Sequence, residues 1–434
     1  MKVEKIVLYI LILFNLLTLL IFAYQPIKSV GDHHTLTVFY IFINIMSFYL
    51  GYRSFNNREI VVGKIENKPL YRVSNQLVTY IFIFYLLTFM IKYAYELYCP
   101  PFSISSLISR IKTGLISARE GYFFDGSQYL PWAVYMPICI INDLFFVLGF
   151  LLWRRLKNSY RILFILLIIF DVLKWFGKGT NFGVVIMILT SIFAFLANYT
   201  KDRMNAKNIK KVSICVISLF VIAVLAFGRN MQSRSGGDFA SLYLDQIFDI
   251  NYNSVINNYF LSNLSYAGQS LYCYVTNYLT NGYNCLECIF DCSFTPCFGF
   301  GNNGTIASFG RILGFDVEPN SYLTQIYYKY GLDQYVNWHS CYAWIANDVS
   351  IYGVPFVVFF IGRFTYTSLL LYRKYNDLLS GIVFVVFSVM VMFFFANNNY
   401  LASVFYPFMF LFPVWLVTRY LNLKVRIGDI IPNK

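Results

Sequence analysis

Hydrophobic runs of membrane-spanning length recur along the chain and are separated by polar stretches. A helix rises about 1.5 Å per residue, so about 20 apolar residues cross roughly 30 Å of hydrocarbon. The pattern predicts an all-α polytopic integral membrane protein with about ten transmembrane helices. The predicted spans are residues 6–24, 36–52, 77–95, 132–153, 160–175, 182–199, 212–227, 351–371, 378–396 and 401–417.

Two polar stretches between the predicted spans are long enough to form a site, residues 96–131 and residues 228–350. Within the first, apolar residues recur at helical spacing and predict an amphipathic helix that lies on the outer membrane face, either as part of a site or only as a cap on the bundle. These apolar residues are Ile104, Leu107, Ile108, Ile111 and Leu115. The sequence contains no internal repeat or low-complexity linker, so residues 1–434 are treated as one membrane domain with two elaborated loops.

Charge is divided unevenly between the second loop and the remainder of the chain. Of 434 residues, 58% are hydrophobic and 13% charged, which excludes a water-soluble globule. The net charge is +13, yet residues 228–350 carry four Lys or Arg against nine Asp or Glu. Because basic loops stay in the cytoplasm, the pattern predicts two cytoplasmic termini and an external 228–350 loop. Membrane orientation then accounts for the positive charge, and nucleic acid is not needed as a partner.

Several arginines lie in segments that this topology places outside, where basic residues are usually scarce. They are Arg110, Arg119, Arg229 and Arg234. A guanidinium group donates paired hydrogen bonds to phosphate oxygens and keeps its charge, so these residues are candidates for binding a phosphate or diphosphate headgroup. Two alternatives stay open for Arg229 and Arg234: their side chains reach lipid phosphates, or they pair with Asp238 and Asp245.

Arg363 lies near the middle of the predicted span 351–371. A charge at that depth costs at least ~2.5 to 3.5 kcal/mol on insertion scales, so we expect its side chain to face the bundle interior or a wet cavity. Arg363 is therefore a further candidate for binding the diphosphate. An ion pair that holds helices together is the alternative, with Asp171, close to Lys174, as the available partner.

The far end of the second loop contains a short motif with potential chemistry, beginning at Trp338 and His339. His339 is a candidate general base for a sugar hydroxyl, although a single histidine is more often structural. Trp338 and Trp344 are candidates for stacking on sugar rings, or belong to an interfacial aromatic belt. Asp348 is a candidate to orient the imidazole or to hold a hydroxyl, or it caps the next helix.

Seven cysteines fall in the predicted external segments: Cys99, Cys273, Cys285, Cys288, Cys292, Cys297 and Cys341. The spacing from Cys285 to Cys297 superficially suggests zinc. An oxidising exterior favours disulfides instead, and we expect disulfides to hold the loop without a metal ion.

Several motifs that would supply energy or a cofactor are missing from the sequence. It contains no phosphate-binding loop, no dinucleotide fingerprint and no H-E-x-x-H metalloprotease motif. We therefore expect no cofactor, and any chemistry must draw its energy from an activated substrate or an outside partner.

The overall arrangement combines an even number of spans, both termini inside, one dominant external loop after the middle spans, external arginines, and the histidine motif before the next helix. Two local features accompany it: the short turn 175–183, Trp-Phe-Gly-Lys-Gly-Thr-Asn-Phe-Gly, and an R-x10-G pattern from Arg110 to Gly121. Together they resemble the O-antigen polymerases, the Wzy-type oligosaccharide repeat-unit polymerases. The likeness is architectural and covers essentially the whole chain, but residues 228–350 contain no second R-x10-G.

The resemblance implies a glycosyltransferase in the bacterial inner membrane. Such an enzyme joins undecaprenyl-diphosphate-linked oligosaccharide repeat units into surface polysaccharide, the O-antigen of lipopolysaccharide, and releases undecaprenyl diphosphate. The external arginines would neutralise the departing diphosphate, and His339 would deprotonate the acceptor hydroxyl. The implied partners are the lipid-linked substrate, membrane lipids and a regulator of chain length.

Three other functions fit the same pattern. An O-antigen ligase shares a similar scaffold and uses lipid A-core as acceptor. A flippase for lipid-linked oligosaccharide, or another transporter, needs a polar path through the bundle, to which Arg363 and Asp171 would belong. A structural or sensory membrane protein would use the loop and its disulfides to bind a partner.

Overall fold

The fold is taken from a computed structural model that describes residues 2–25, 30–54, 74–98, 144–177, 182–199, 265–302, 304–334, 337–396 and 406–421, with positions 138, 142, 207, 210, 214, 218 and 263. These residues are mostly helical and contain no strand. The α-helices are α1 (Val3–Ala23), α2 (His34–Arg53), α3 (Asn75–Tyr98), α4 (Phe145–Leu152), α5 (Asn158–Gly177), α6 (Phe182–Asn198), α7 (Tyr266–Glu287), α8 (Gly304–Ile312), α9 (Tyr322–Tyr330), α10 (Cys341–Tyr375), α11 (Leu378–Met392) and α12 (Tyr406–Trp415). Short 3₁₀ helices span Cys288–Asp291 and Glu318–Asn320, and a π-helix spans Leu416–Leu421.

Four of these helices, α1, α2, α3 and α10, are long and apolar enough to cross a membrane within the described part of the chain. Two shorter apolar helices, α6 and α11, accompany them. The expected all-α membrane class is confirmed at this level, whereas the number of spans stays a prediction. Only positions 214 and 218 of the predicted span 212–227 are described, and the predicted amphipathic helix at 104–115 lies outside the described residues.

The pair α2 and α10 packs with its backbones unusually close together. A Cβ atom added to Gly51 would lie 1.9 Å from the carbonyl oxygen of Phe359, and one added to Gly362 would lie 2.3 Å from that of Phe48. Inside a bilayer, helices gain association energy chiefly from such close packing rather than from the hydrophobic effect. The two glycines therefore allow α2 and α10 to form the central helix pair.

One end of the bundle gathers the start of α1 with the ends of α2, α6 and α10. The hydroxyl of Tyr52 donates to the backbone oxygen of Glu4 at 2.8 Å, and the guanidinium of Arg373 lies 3.4 Å from the Glu4 carboxylate. Arg373 also donates to the carbonyl of Tyr199 at 2.7 Å. Helices that alternate in direction would meet in this way, as the predicted topology requires.

The opposite end is covered by residues 265–334, here called the cap. The cap contains α7, α8 and α9, and it packs on the ends of α1, α2 and α10. Predicted as a long loop, this part of the chain is largely helical where it is described. Its helix α7 is buried along the C-terminal half, from Gly282 to Glu287.

Helix α10 begins well before the predicted span at residue 351. The hydroxyl of Ser340 caps it by accepting from the amide of Ala343, so Asp348 is not the cap of this helix. The backbone breaks at Ser350, where φ is 60°, and Pro355 lies one turn further on. Residues 341–349, predicted as the end of the loop, form a helical segment that joins the cap to the membrane-length part of α10.

Candidate functional site

The polar face of α7 is buried against the bundle. Thr276, Thr280, Asn284 and Glu287 follow one another at intervals of four, four and three residues, which places them on one side of a helix. All four are at least 98% buried. A polar stripe in such a position needs hydrogen-bond partners from the helices beneath it.

The end of α1 supplies some of these partners. The Thr18 hydroxyl lies 3.2 Å from the hydroxyl of Tyr283, and the Gln25 amide donates to the Asn284 side-chain oxygen at 2.6 Å. The backbone of α7 also approaches the chain just after α11 closely at Gly282. A Cβ added to Gly282 would lie 2.1 Å from the carbonyl oxygen of Phe395. These contacts fix α7 across the end of the bundle.

His34, the first residue of α2, forms a hydrogen-bonded pair with Glu287 at the end of α7. Its Nδ1 lies 2.8 Å from Oε1 of Glu287. The carboxylate is completely buried, whereas the His34 side chain is 38% exposed. Gly31 allows this approach, because an added Cβ would lie 2.8 Å from the Cβ of Glu287.

The surroundings of His34 hold its ring in one orientation. The ring of Phe22 packs against it with 4.6 Å between centroids. A buried carboxylate that orients a partly exposed imidazole is the arrangement found at general bases. Proton transfer is the chemistry that this pair can perform.

A second histidine pair ties the α1–α2 connection to the cap. His33 Nε2 lies 3.0 Å from Oδ1 of Asp291, and the Tyr330 hydroxyl donates to Oδ2 at 2.5 Å. The Lys329 ammonium donates to the Asp291 backbone oxygen at 3.3 Å. The hydrogen bonds from Tyr330 and His33 hold the pKa of Asp291 below its usual range. With its carboxylate engaged on both oxygens, Asp291 has a structural role.

Buried polar atoms without a hydrogen-bond partner among the described residues are concentrated at this end of the bundle. On α7 and its neighbours they are Asn277 Oδ1, Asn281 Oδ1, Asn284 Nδ2, Gln25 Oε1, Tyr342 Oη and Trp344 Nε1. Leaving such a group without a partner costs about 1 to 3 kcal/mol, so each calls for water or a ligand. Amide and hydroxyl groups together match the hydrogen-bonding pattern of sugar hydroxyls.

His339 lies at the same end of the bundle but is completely buried. Neither of its ring nitrogens has a hydrogen-bond partner among the described residues. Burial lowers the pKa of His339 to about 4, against the opposing effects of the Leu332 backbone and Asp333. In this arrangement the imidazole is neutral near pH 7 and has no access to a substrate.

Asp348 does not orient His339, and the hydrogen bond expected between them is absent from this structure. Its Oδ1 instead accepts from the backbone amides of Gly299 at 2.9 Å and Gly301 at 3.0 Å. The preceding Asn347 side chain donates to the Gly301 carbonyl at 2.8 Å. Asp348 therefore holds the glycine-containing turn of the cap against α10.

The two tryptophans predicted to stack on sugars are engaged within the protein. Trp338 is half-buried and contacts Tyr278 edge-on, with 4.2 Å between ring centroids. Trp344 is 5% exposed. Trp344 is therefore closed to a sugar ring in this arrangement, whereas Trp338 keeps part of its surface exposed, and the stacking role of both stays a prediction.

The predicted diphosphate-binding arginines can be located in one case only. Arg363 lies over the ring of Tyr420, 5.4 Å from its centroid, and Asp171 accepts a hydrogen bond from the Trp175 indole at 2.9 Å. Arg363 and Asp171, named above as a possible ion pair, thus each contact a different aromatic residue. The other four, Arg110, Arg119, Arg229 and Arg234, lie outside the described residues.

The expected disulfides are wrong for five of the described cysteines. These five are free thiols: Cys273, Cys285, Cys288, Cys292 and Cys297. Their side chains are packed into the protein rather than paired, and burial raises the pKa of Cys288 to about 12. Across the described ranges, three or more His, Cys, Asp or Glu side chains never gather in a way that could hold a metal ion.

Sequence reasoning missed the histidine pairs that join α2 to the cap. His33 and His34 are adjacent, whereas Glu287 and Asp291 lie four residues apart, more than 250 residues further along the chain. The available signal was their rarity, because the chain has only three histidines and two of them are neighbours. Their partners could not be read from local spacing.

Comparison with models of protein families, with curated proteins and with solved structures gives no match for this chain.

Proposed function

We propose that this protein transfers an oligosaccharide from one lipid diphosphate to the next, as a polymerase of undecaprenyl-diphosphate-linked repeat units. The reaction takes place at the end of the bundle that carries the cap. An apolar helical bundle suits a lipid-anchored substrate, and the adjoining polar groups suit its sugar part. The compartment, bacterial inner membrane with the cap outside, belongs to the same proposal.

The observation that carries the proposal is the His34–Glu287 pair beside the polar face of α7. The buried carboxylate of Glu287 orients a partly exposed imidazole, and three atoms without a hydrogen-bond partner among the described residues, Asn277 Oδ1, Asn281 Oδ1 and Asn284 Nδ2, lie on the same helix. A proton acceptor beside donors and acceptors for hydroxyl groups is what an acceptor sugar requires.

In the proposed step His34 takes the proton from the acceptor hydroxyl as that oxygen attacks the anomeric carbon. The bond from the anomeric carbon to the diphosphate oxygen breaks, and the diphosphate leaves with the bonding electrons. The proton then passes from His34 to solvent. Because the leaving group is already activated, no nucleotide is consumed. Cations must stabilise the departing diphosphate, and Arg110, Arg119, Arg229 and Arg234 are the candidates.

This proposal assigns proton transfer to His34, in place of His339. A base must come within about 3 Å of the hydroxyl that it deprotonates, and solvent does not reach His339 in this structure. A catalytic role for His339 would require the segment around Trp338 to open.

The test uses full-length protein in lipid nanodiscs with a purified lipid-diphosphate repeat unit. The unsubstituted protein should build a ladder of products, and His34→Ala should abolish it. Glu287→Gln keeps the shape of the side chain and should lower the rate about 10²- to 10⁴-fold, the usual contribution of a positioned base. His33→Gln is the matched control, because it removes the neighbouring histidine pair and should keep the ladder.

Other outcomes separate the competing functions. Polymer transfer to added lipid A-core without chain growth would indicate a ligase, and translocation of the lipid without new glycosidic bonds would indicate a flippase. If the protein builds ladders and His34→Ala builds them equally fast, the polymerase proposal stands and the base assignment is refuted.

A further inference from the structure

The cap displays a group of large apolar side chains to its surroundings. Phe298, Ile312, Leu313 and Phe315 are 72%, 80%, 66% and 48% exposed. Exposed apolar side chains gathered in this way mark a surface that contacts another molecule or a membrane. Phe298 also adopts a positive φ of 52°, an uncommon conformation for a bulky residue.

Direct contacts join the two segments that carry these residues. Phe300 stacks on Phe315 with 5.5 Å between ring centroids and 19° between planes. Phe300 also packs against Gly310, where an added Cβ would lie 2.8 Å from its ring. Residues 298–300 and 312–315 therefore form one surface, here called the apolar ledge.

The apolar ledge is fixed to the start of the membrane-length part of α10. Gly299 and Gly301 donate their backbone amides to Asp348, and the amide of Cys297 donates to the Asn347 carbonyl at 3.2 Å. These bonds hold the turn beside the last helical residues before the break at Ser350. The ledge consequently lies at the level where α10 enters its long apolar stretch.

From that level onward α10 exposes a row of apolar and aromatic side chains. Val349, Tyr352, Phe356 and Phe360 follow at intervals of three, four and four residues, and they are 37%, 81%, 71% and 45% exposed. Such a row on a membrane-length helix faces lipid. The ledge and this row belong to neighbouring stretches of backbone, so one partner can cover both.

We propose that the apolar ledge inserts into the interfacial layer of the lipid bilayer and anchors the cap to the membrane surface. Aromatic side chains are favoured at the headgroup level, and a shallow apolar surface gains energy by burial at the acyl boundary. The adjacent cation does not oppose insertion, because Arg311 is paired with Asp316 and Glu318. This anchoring is independent of any glycosyl transfer.

The test places a polarity-sensitive fluorophore on the ledge of the full-length protein in nanodiscs. Leu313→Cys and Phe298→Cys carry the label, and Asn320→Cys, in an exposed polar turn of the cap, is the matched control. The unsubstituted protein, treated in the same way, gives the background from native cysteines. The emission of the two ledge labels should be shifted to the blue by the bilayer, and lipids with a nitroxide near the headgroup should quench it. The control label should show neither effect.

Equal quenching at the ledge and at position 320 would overturn the proposal. So would a blue shift that appears without quenching by the lipids and grows with the number of protein copies per nanodisc, because a protein would then cover the ledge. As a second measurement, the double variant Phe298→Ser with Leu313→Ser should lose protection of the cap against protease in nanodiscs while keeping its helix content.

Discussion

Replacing His339 with leucine should remove a large part of the acid sensitivity of this protein. His339 is completely buried, and burial lowers its pKa from 6.5 to about 4. Between these two pH values the imidazole of residue 339 is protonated in the unfolded chain but neutral in the folded protein. The histidine therefore reduces the free energy of unfolding as the pH falls from about 6.5, and its effect levels off below about pH 4.

The size of the effect follows from the width of that window. One pH unit corresponds to about 1.4 kcal/mol, so a window of about 2.5 units gives a loss of about 3 kcal/mol. At neutral pH the His339→Leu variant should be as stable as the unsubstituted protein or slightly more stable. The substitution removes two buried nitrogens that have no partner among the described residues.

The measurement is the free energy of unfolding of the full-length protein in mild detergent, followed by tryptophan fluorescence between about pH 7 and about pH 4. His33→Gln serves as the control, because it also removes a histidine but at a side chain that is 36% exposed. Equal losses of stability on acidification for the unsubstituted protein and His339→Leu would refute the reasoning. A solvent-accessible base at position 339 would give that result.

Three further predictions concern packing, the cap and the thiols. Gly51→Ala places a Cβ 1.9 Å from the Phe359 carbonyl oxygen and should cost about 1 to 3 kcal/mol or more of stability, measured by thermal unfolding in detergent, whereas Ser47→Ala on the same helix should cost less. Asp348→Ala should release the turn at residues 297–301, cost about 1 to 3 kcal/mol and create a protease-sensitive site there. Because burial raises the pKa of Cys288 to about 12, its thiol should react with maleimide near neutral pH only after unfolding, and intact mass should show no disulfide at that position.

Hydrophobic periodicity predicted the long apolar helices well. The predicted spans 6–24, 36–52 and 77–95 correspond to α1, α2 and α3 with shifts of a few residues. In these segments a single property, a membrane-length apolar run, determines the structure. Boundaries failed where that property is interrupted, as in α10, where Asn347, Asp348 and Ser350 interrupt the apolar run.

The cap could not be predicted in the same way, because its structure depends on distant contacts. Helix α7 contains Thr, Asn and Tyr instead of an apolar run, and its buried polar face is stabilised only when Gln25 and His34 approach it. The disulfides were predicted only because the loop was expected to face an oxidising exterior. That expectation does not reveal whether a thiol points toward another thiol or into the core. The candidate site was likewise assembled from residues that no local pattern connects.

The break in α10 lies between two stretches of helix with different contacts. Residues 351–375 form about 37 Å of helix, enough to cross the hydrocarbon, and residues 341–349 form a further ~13 Å of helix before the break. The amide of Cys341, at the start of this shorter segment, donates to the carbonyl of Phe394 just after α11, and the amide of Ser340 donates to the carbonyl of Gly282 in the cap. A displacement of the cap would therefore be transmitted to α10 and α11 together.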